Sequence, residues 1–201
     1  MYWLLALVIF AVVLAVGVWF LQRFYAKATL ESAVVRTGLG GRRVLVDGGC
    51  IALPIVHQTQ RVSMQTAAVK AVRTGQEAVL TADALRANIT MEFEVRVDTT
   101  PEGIATAAQA FGHRIARGGD AFEDVLAGPL ANAIQTAAAA RALNDIHMER
   151  AAFTAEVADM VREHAARLGL DLITAALISV DQSDFAQCDE NKKFNARVIR
   201  R

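Results

Sequence analysis

From Tyr2 to Leu21 the chain runs through twenty consecutive residues without a charge. At about 1.5 Å rise per residue, a helix of that length spans the roughly 30 Å hydrocarbon core of a bilayer. Thirteen of the twenty are Leu, Ile, Val or Phe. Each favours insertion at mid-membrane by about 0.3–0.6 kcal/mol, an upper-bound gain of roughly 4–8 kcal/mol for the run. Trp3 and the Trp19–Phe20 pair sit near the two ends, where amphipathic aromatics settle at headgroup level. Residues 1–22 are therefore expected to form a transmembrane anchor, with Tyr2, Trp3, Leu4, Leu5, Val8, Phe10, Leu14, Trp19, Phe20 and Leu21 among the lipid-embedded positions. Arg23, Lys27, Arg36, Arg42 and Arg43 follow the run and no basic side chain precedes it. Basic flanks stay on the cytoplasmic side, so the reading is single-pass, N-terminus out, with the remaining residues in the cytoplasm. The alternative is a signal peptide cut near Ala26-Lys27-Ala28, but a basic n-region is missing and the apolar stretch exceeds the usual length.

The remaining chain is long enough for one domain, or two small ones, with a real core. Its 21 basic and 21 acidic residues cancel, which excludes a nucleic-acid partner held by bulk charge. Cys50 and Cys188 lie far apart and form no CxxC pair, so in a cytoplasmic domain they read as free thiols, a structural disulfide being the alternative.

Residues 32–99 read as β structure. Ser32 to Thr37 is a strand candidate, followed by the turn Gly38-Leu39-Gly40-Gly41. Arg43 to Val46 and Ile51 to Val56 flank Asp47-Gly48-Gly49 and predict a hairpin, with Pro54 holding the second strand at an edge. Between Arg61 and Arg73 the apolar positions switch from even (Val62, Met64) to odd (Val69, Ala71), which predicts a bulge near Thr66 to Ala68. Arg86 to Asp98 alternates without error and predicts a long antiparallel strand. Ala87, Ile89, Met91, Phe93, Val95 and Val97 lie on its buried face; Glu92, Glu94 and Arg96 lie on its charged face, which is either solvated or a partner face.

Helical grammar begins at Thr100, an N-cap with Pro101 at the first helical position, and ends at Gly112; Ile104, Ala108 and Phe111 mark its buried stripe. A second helix starts near Asp120 with Phe122, Leu126, Leu130 and Ile134 inward, and Gly128-Pro129 predicts a kink or restart. A third runs from about Asp145 to Leu168, with Phe153, Val157, Val161, His164 and Leu168 on one side and Gly169 as its stop. Leu170 to Val180 reads as an inner strand with apolar residues on both faces. The tail from Asp189 to Arg201 carries two acids and five bases, so it is either a frayed, solvated end or a segment drawn to anionic lipid.

No catalytic constellation stands out. His57, His113, His147 and His164 are scattered without metal-site spacing, and His164 reads as a core residue. The Gly38–Gly41 glycines lead into a strand, whereas phosphate cradling needs a helix N-terminus behind them. Asp120, Glu123 and Asp124 crowd a helix start, where acids complement the dipole. The expectation is no catalytic residue, no cofactor, no metal site and no enzyme activity.

Val35-Arg36-Thr37-Gly38-Leu39-Gly40-Gly41, Val46-Asp47-Gly48-Gly49 and Leu53-Pro54-Ile55-Val56-His57 carry a resemblance. So do Val62-x-Met64-x-Thr66, the strand Glu92-Phe93-x-Val95-Arg96-Val97, the Thr100-Pro101-Glu102 helix start, and Arg150 with Phe153. In that order they resemble the stomatin–prohibitin–flotillin superfamily (the band 7 or SPFH domain), and within it the bacterial flotillin-like inner-membrane proteins, over about residues 23–185. The resemblance implies a mixed α/β (α+β) fold: the anchor at 1–22, a β-rich membrane-proximal subdomain at 23–100, an α/β subdomain at 101–185 and a short basic tail at 186–201. It implies a non-enzymatic scaffold of the bacterial inner membrane that oligomerises and organises microdomains or membrane-protein partners, or else an accessory regulator of a membrane protease or other membrane enzyme. The implied partners are membrane lipid, further copies of the chain and membrane proteins. The segment with Cys50, Ile51, Leu53, Ile55 and Val56 reads either as a hairpin dipping into the inner leaflet or as sheet core. Flotillins continue into a long Ala/Glu-rich coiled coil; nothing from Asp181 to Arg201 has heptad character, so the chain is expected to be either a short member or part of a longer product.

Overall fold

The computed structural model describes residues 2–27, 29, 31–38, 41–51 and 57–183. The apolar run forms helix α1 (Tyr2–Phe24), which passes directly into strand β1 (Tyr25–Lys27). Strands β2 (Ser32–Gly38), β3 (Arg43–Leu45), β4 (Gly49–Ile51) and β5 (His57–Ser63) follow, then β6 (Ala67–Arg73), β7 (Val79–Leu80) and β8 (Arg86–Val97). Helices α2 (Pro101–Phe111), α3 (Gly119–Ala139), α4 (Leu143–Met148) and α5 (Arg150–Arg167) precede the last strand, β9 (Leu170–Gln182).

Among the described residues, no pairing across Asp47-Gly48 joins β3 to β4 as the predicted hairpin requires. β3 pairs back onto β2 across the Gly38–Gly41 turn, whereas β4 pairs with β1. The turn glycines explain this: Gly41 donates to the Gly38 carbonyl at 3.0 Å and closes the β2–β3 hairpin, and Gly48, at φ +84°, then bends the chain into another sheet. Leu39, Gly40, Leu53, Pro54, Ile55, Val56 and Cys188 lie outside the described residues. The predicted bulge near Thr66 to Ala68 is instead a strand break. β5 completes a three-stranded sheet in the order β3-β2-β5, while β6 joins a separate sheet built on β8.

β8 is the spine of that second sheet. Its alternation is fully realised, with Ala87, Ile89, Met91, Phe93, Val95 and Val97 buried. β6 and β7 share one of its edges and β9 takes the other, all antiparallel. Strand pairing therefore joins residues on both sides of residue 100. α3 lies over β6 and β7, α5 lies over β9, and the two helices pack together over the buried face. Thr100 caps α2 by accepting from the Gly103 N–H at 3.0 Å, as its sequence predicts. α2 and the 3-10 segment Gly112–Arg117 after it pack against the three-stranded sheet, and Gln60 of β5 donates to the carbonyls of Ala108 and Gly112 at the end of α2. One continuous core links both sheets.

Three further expectations are corrected. α3 runs unbroken through Pro129, which removes the restart from the kink-or-restart expectation. The third predicted helix is two, α4 and α5, separated at Glu149. His164 is exposed, because the buried positions of α5 advance in steps of four (Phe153, Val157, Val161, Ala165). Each step turns the buried line by about 40°, so at the last turn it points along Ala165, about 100° from His164.

Among the described residues β9 pairs with β8 alone, which makes it an edge strand, not an inner one. Ser179 pairs with Thr90 but Leu177 with Met91, and Thr174 pairs with Glu94 but Leu172 with Val95. Ile178 and Ile173 are thus extra residues in two bulges, 49% and 42% exposed. Each bulge shifts the alternation by one, which places Leu170, Leu172, Ala175, Leu177 and Val180 on the core side and produces the two-sided apolar pattern in the sequence.

Candidate functional site

Two surfaces stand out. The first is α1. Its 19-residue stretch Tyr2–Phe20 has a mean hydropathy of 2.8, and no part of it is buried within the fold. A core helix of a soluble protein can be as long and as apolar, but it is covered by the rest of its fold. Trp3 is 90% exposed, and Tyr2, Leu4, Val8, Phe10, Leu14, Trp19 and Phe20 are exposed with it. So large a contiguous apolar surface requires a non-aqueous partner. The side chains of Leu5 and Leu21 lie outside the described set, as do those of Cys50 and Ile51, whose backbones lie in β4.

The second surface is the face of the four-stranded sheet opposite the helices. Alternation along β8 puts Glu92, Glu94 and Arg96 together there. Lys70 and Ala176 flank Glu92, Ala68 and Thr174 flank Glu94, and Asp171 stands opposite Arg96. Arg96 pairs with Asp171 at 3.3 Å, and the Thr174 hydroxyl donates to Glu94 at 3.0 Å. Lys70 makes no ion pair among the described residues, and exposed Val72, opposite Thr90, and exposed Ala176, opposite Glu92, lie beside the charges. A patch of Lys, Glu, Arg and small side chains has the composition of a solvated surface or of the polar rim of an interface, not of an interface core.

Sequence reasoning missed the side chains that lock the helical layer. Arg141, between α3 and α4, reaches Glu156 through Nε at 3.0 Å and Nη2 at 2.9 Å, and Glu149 at 3.3 Å. Arg150 donates to the carbonyls of Leu177 and Ile178 at 2.8 and 3.2 Å. No spacing rule announces contacts between elements so far apart in sequence. In the β7–β8 turn, burial alone would raise the Asp83 carboxyl, but hydrogen bonds from the Thr81 hydroxyl and the Leu143 N–H outweigh it and hold the group below its ordinary 3.8. His57, His113, His147 and His164 sit on four different elements, and among the described residues no three His, Cys, Asp or Glu side chains form a metal-sized group.

The sequence matches the SPFH domain / Band 7 family over residues 29–199. The chain belongs to this family. It is 31% identical over 194 residues to the flotillin family inner membrane protein YqiK of Escherichia coli K12, a match covering 96% of this chain and 35% of that protein. It is 32% identical over 202 residues to the flotillin family inner membrane protein sll1021 of Synechocystis, covering 96% of this chain and 29% of that one. The chain thus spans about a third of the length of the curated relatives it matches. The resemblance carried by the glycine turns, the long strand and the Thr100 helix start is borne out at the level of family, and so is the mixed α/β fold with one N-terminal apolar helix.

Proposed function

We propose that this SPFH/Band 7 protein is a membrane-anchored, non-enzymatic scaffold. α1 holds it in the inner membrane with the N-terminus out, the folded domain lies in the cytoplasm, and copies associate to organise microdomains or membrane-protein partners. The observation that carries this is an uncovered apolar helix that passes directly into β1, just ahead of the family domain. The relatives' names as inner membrane proteins support the location, and the basic residues after the span support the orientation. The test is a paired C-terminal reporter, alkaline phosphatase against a fluorescent protein, with carbonate extraction and cross-linking in intact membranes. Fluorescence, resistance to extraction and a cross-linked ladder are expected. Phosphatase activity, release by carbonate or a strictly monomeric band would refute the corresponding element.

A second reading, accessory regulation of a membrane enzyme such as a protease, is favoured by the open charged sheet face alone. Charge reversal at Glu92, Glu94 and Arg96 together should then abolish capture of a stoichiometric partner while membrane retention stays intact. Capture that survives the reversal removes this reading.

A further inference from the structure

Charge is divided unevenly along the fold. Residues 23–66 and 112–118, which hold the end of α1, strands β1 to β5 and the 3-10 segment, carry eight basic and two acidic side chains. Residues 67–111 and 119–183 carry eight basic and sixteen acidic ones. The zero net charge of the chain thus conceals a basic module and an acidic one, and such asymmetry points to an anionic partner on the basic side.

The fold gathers the basic side chains on one patch. Register sets Arg43 of β3 directly opposite Arg36 of β2, and Arg61 of β5 opposite Val34, the next position on the same face. Val35, Val44 and Val62 occupy the other face, toward the core. β3 and β5 are two strand spacings apart, about 10 Å, so their arginines reach a common surface. The 3-10 segment extends the patch, because its Gly112 carbonyl accepts from Gln60 and Gly118 beyond it lies beside Ser63. Arg42, Arg43, Arg61, Arg114 and Arg117 are exposed, and none makes an ion pair among the described residues. Like charges set opposite each other repel, so this arrangement gains from an anionic surface beside it.

The chain path ties the patch to the end of the span. α1 runs straight into β1, β1 pairs with β4, and only Val46, Asp47 and Gly48 separate β4 from β3. We infer that the three-stranded sheet and its 3-10 segment form a headgroup-binding surface selective for anionic phospholipid. The inference rests on the membrane-anchored reading proposed above and adds a lipid class to it. Each basic side chain close to an anionic surface is worth about fivefold in affinity, and a zwitterionic surface offers no such gain. Arg23 and Lys27 at the end of the span share in that attraction, so the test leaves them in place.

The test is native mass spectrometry of the full chain in non-ionic micelles with equal added phosphatidylglycerol and phosphatidylcholine. Phosphatidylglycerol adducts should outnumber the others by about threefold or more. Arg42→Gln, Arg43→Gln and Arg61→Gln together should bring the ratio close to one, and Arg114→Gln with Arg117→Gln should lower it part-way. Circular dichroism should stay unchanged, because all five side chains are exposed. Arg162→Gln with Arg167→Gln, on the acidic module, should leave the ratio as it is. Equal adducts in the wild type, a preference that survives all five substitutions, or an equal fall in the Arg162 and Arg167 variant would overturn the inference. So would a short single-stranded RNA that binds these arginines while phosphatidylglycerol does not. Carbonate extraction tests the anchor separately: release of a chain that keeps its phosphatidylglycerol preference would refute the anchored reading and support the lipid class.

Discussion

Gly169 joins α5 to β9 at φ +73°, and its carbonyl accepts from the Asp98 N–H at 3.0 Å. A methyl group there would lie 2.3 Å from the Gly103 carbonyl oxygen and 2.7 Å from the Ala107 nitrogen, both backbone atoms of α2. Neither atom can rotate away, so the junction or the helix must shift. Left-handed backbone costs an alanine about 1–2 kcal/mol, and overpacking of this kind about 1–3 kcal/mol. Loss of glycine's unfolded-state freedom returns about 0.4–1 kcal/mol. Gly169→Ala should therefore destabilise the domain by roughly 2–4 kcal/mol, read as a fall in urea midpoint at unchanged slope. α2 packs on the three-stranded sheet, so a fluorescent reporter placed there should lose signal at the same urea concentration as one on β8. A loss under about 1 kcal/mol would refute the close approach, and a lag between the two reporters would refute the continuous core.

The opposite sign is expected at Ala84, whose φ of +61° is unusual for an alanine. Ala84→Gly should leave stability unchanged or raise it by up to about 1 kcal/mol in the same urea assay. Arg141→Ala should cost about 1–2 kcal/mol, more than an ordinary surface pair, because the side chain is three-quarters covered and holds two carboxylates; thermal unfolding of R141A and of E156A measures it. Asp83 has a lowered carboxyl in the folded chain, so its contribution is complete above the unfolded value of 3.8 and is lost as pH falls through the folded one. Asp83→Asn should flatten the decline of the urea midpoint below about pH 4, and an unchanged acid slope would contradict the assignment.

What the sequence revealed and what it hid have one cause. α1, β8 and the Thr100 cap are written in local periodicity or local hydrogen bonding, so each was legible by residue spacing. The fate of β3 and β4 was not, because an Asp-Gly turn fixes only that the chain bends and leaves open which strand receives it. The phase switch between Met64 and Val69 likewise looks the same for a bulge and for passage between two sheets; only the long-range pairing of β5 with β2 and of β6 with β8 separates them. In the candidate sites, the co-facing of Glu92, Glu94 and Arg96 followed from alternation. Lys70, Asp171 and Thr174 beside them depended on register, which pairs residues far apart in sequence.

The bulges of β9 bear on how an exposed strand avoids pairing with other chains. A thirteen-residue edge strand with exposed isoleucines is a ready template for uncontrolled pairing. Here Ile173 and Ile178 occupy the bulges themselves, which bend the strand and break the regular spacing an incoming strand would need. Arg150 adds a second barrier by holding the carbonyls of Leu177 and Ile178 with one guanidinium nitrogen. On the scaffold reading proposed above, ordered association would then use surfaces other than this edge, α1 and the open sheet face among them. Arg150→Ala frees both carbonyls while leaving the bulges and the core side of β9 in place. The variant should keep its membrane retention and cross-linked ladder yet form thioflavin-positive aggregates severalfold faster on mild heating. Aggregation at the wild-type rate would show that the bulges alone protect the edge, and a lost ladder would show that copies meet through β9 after all.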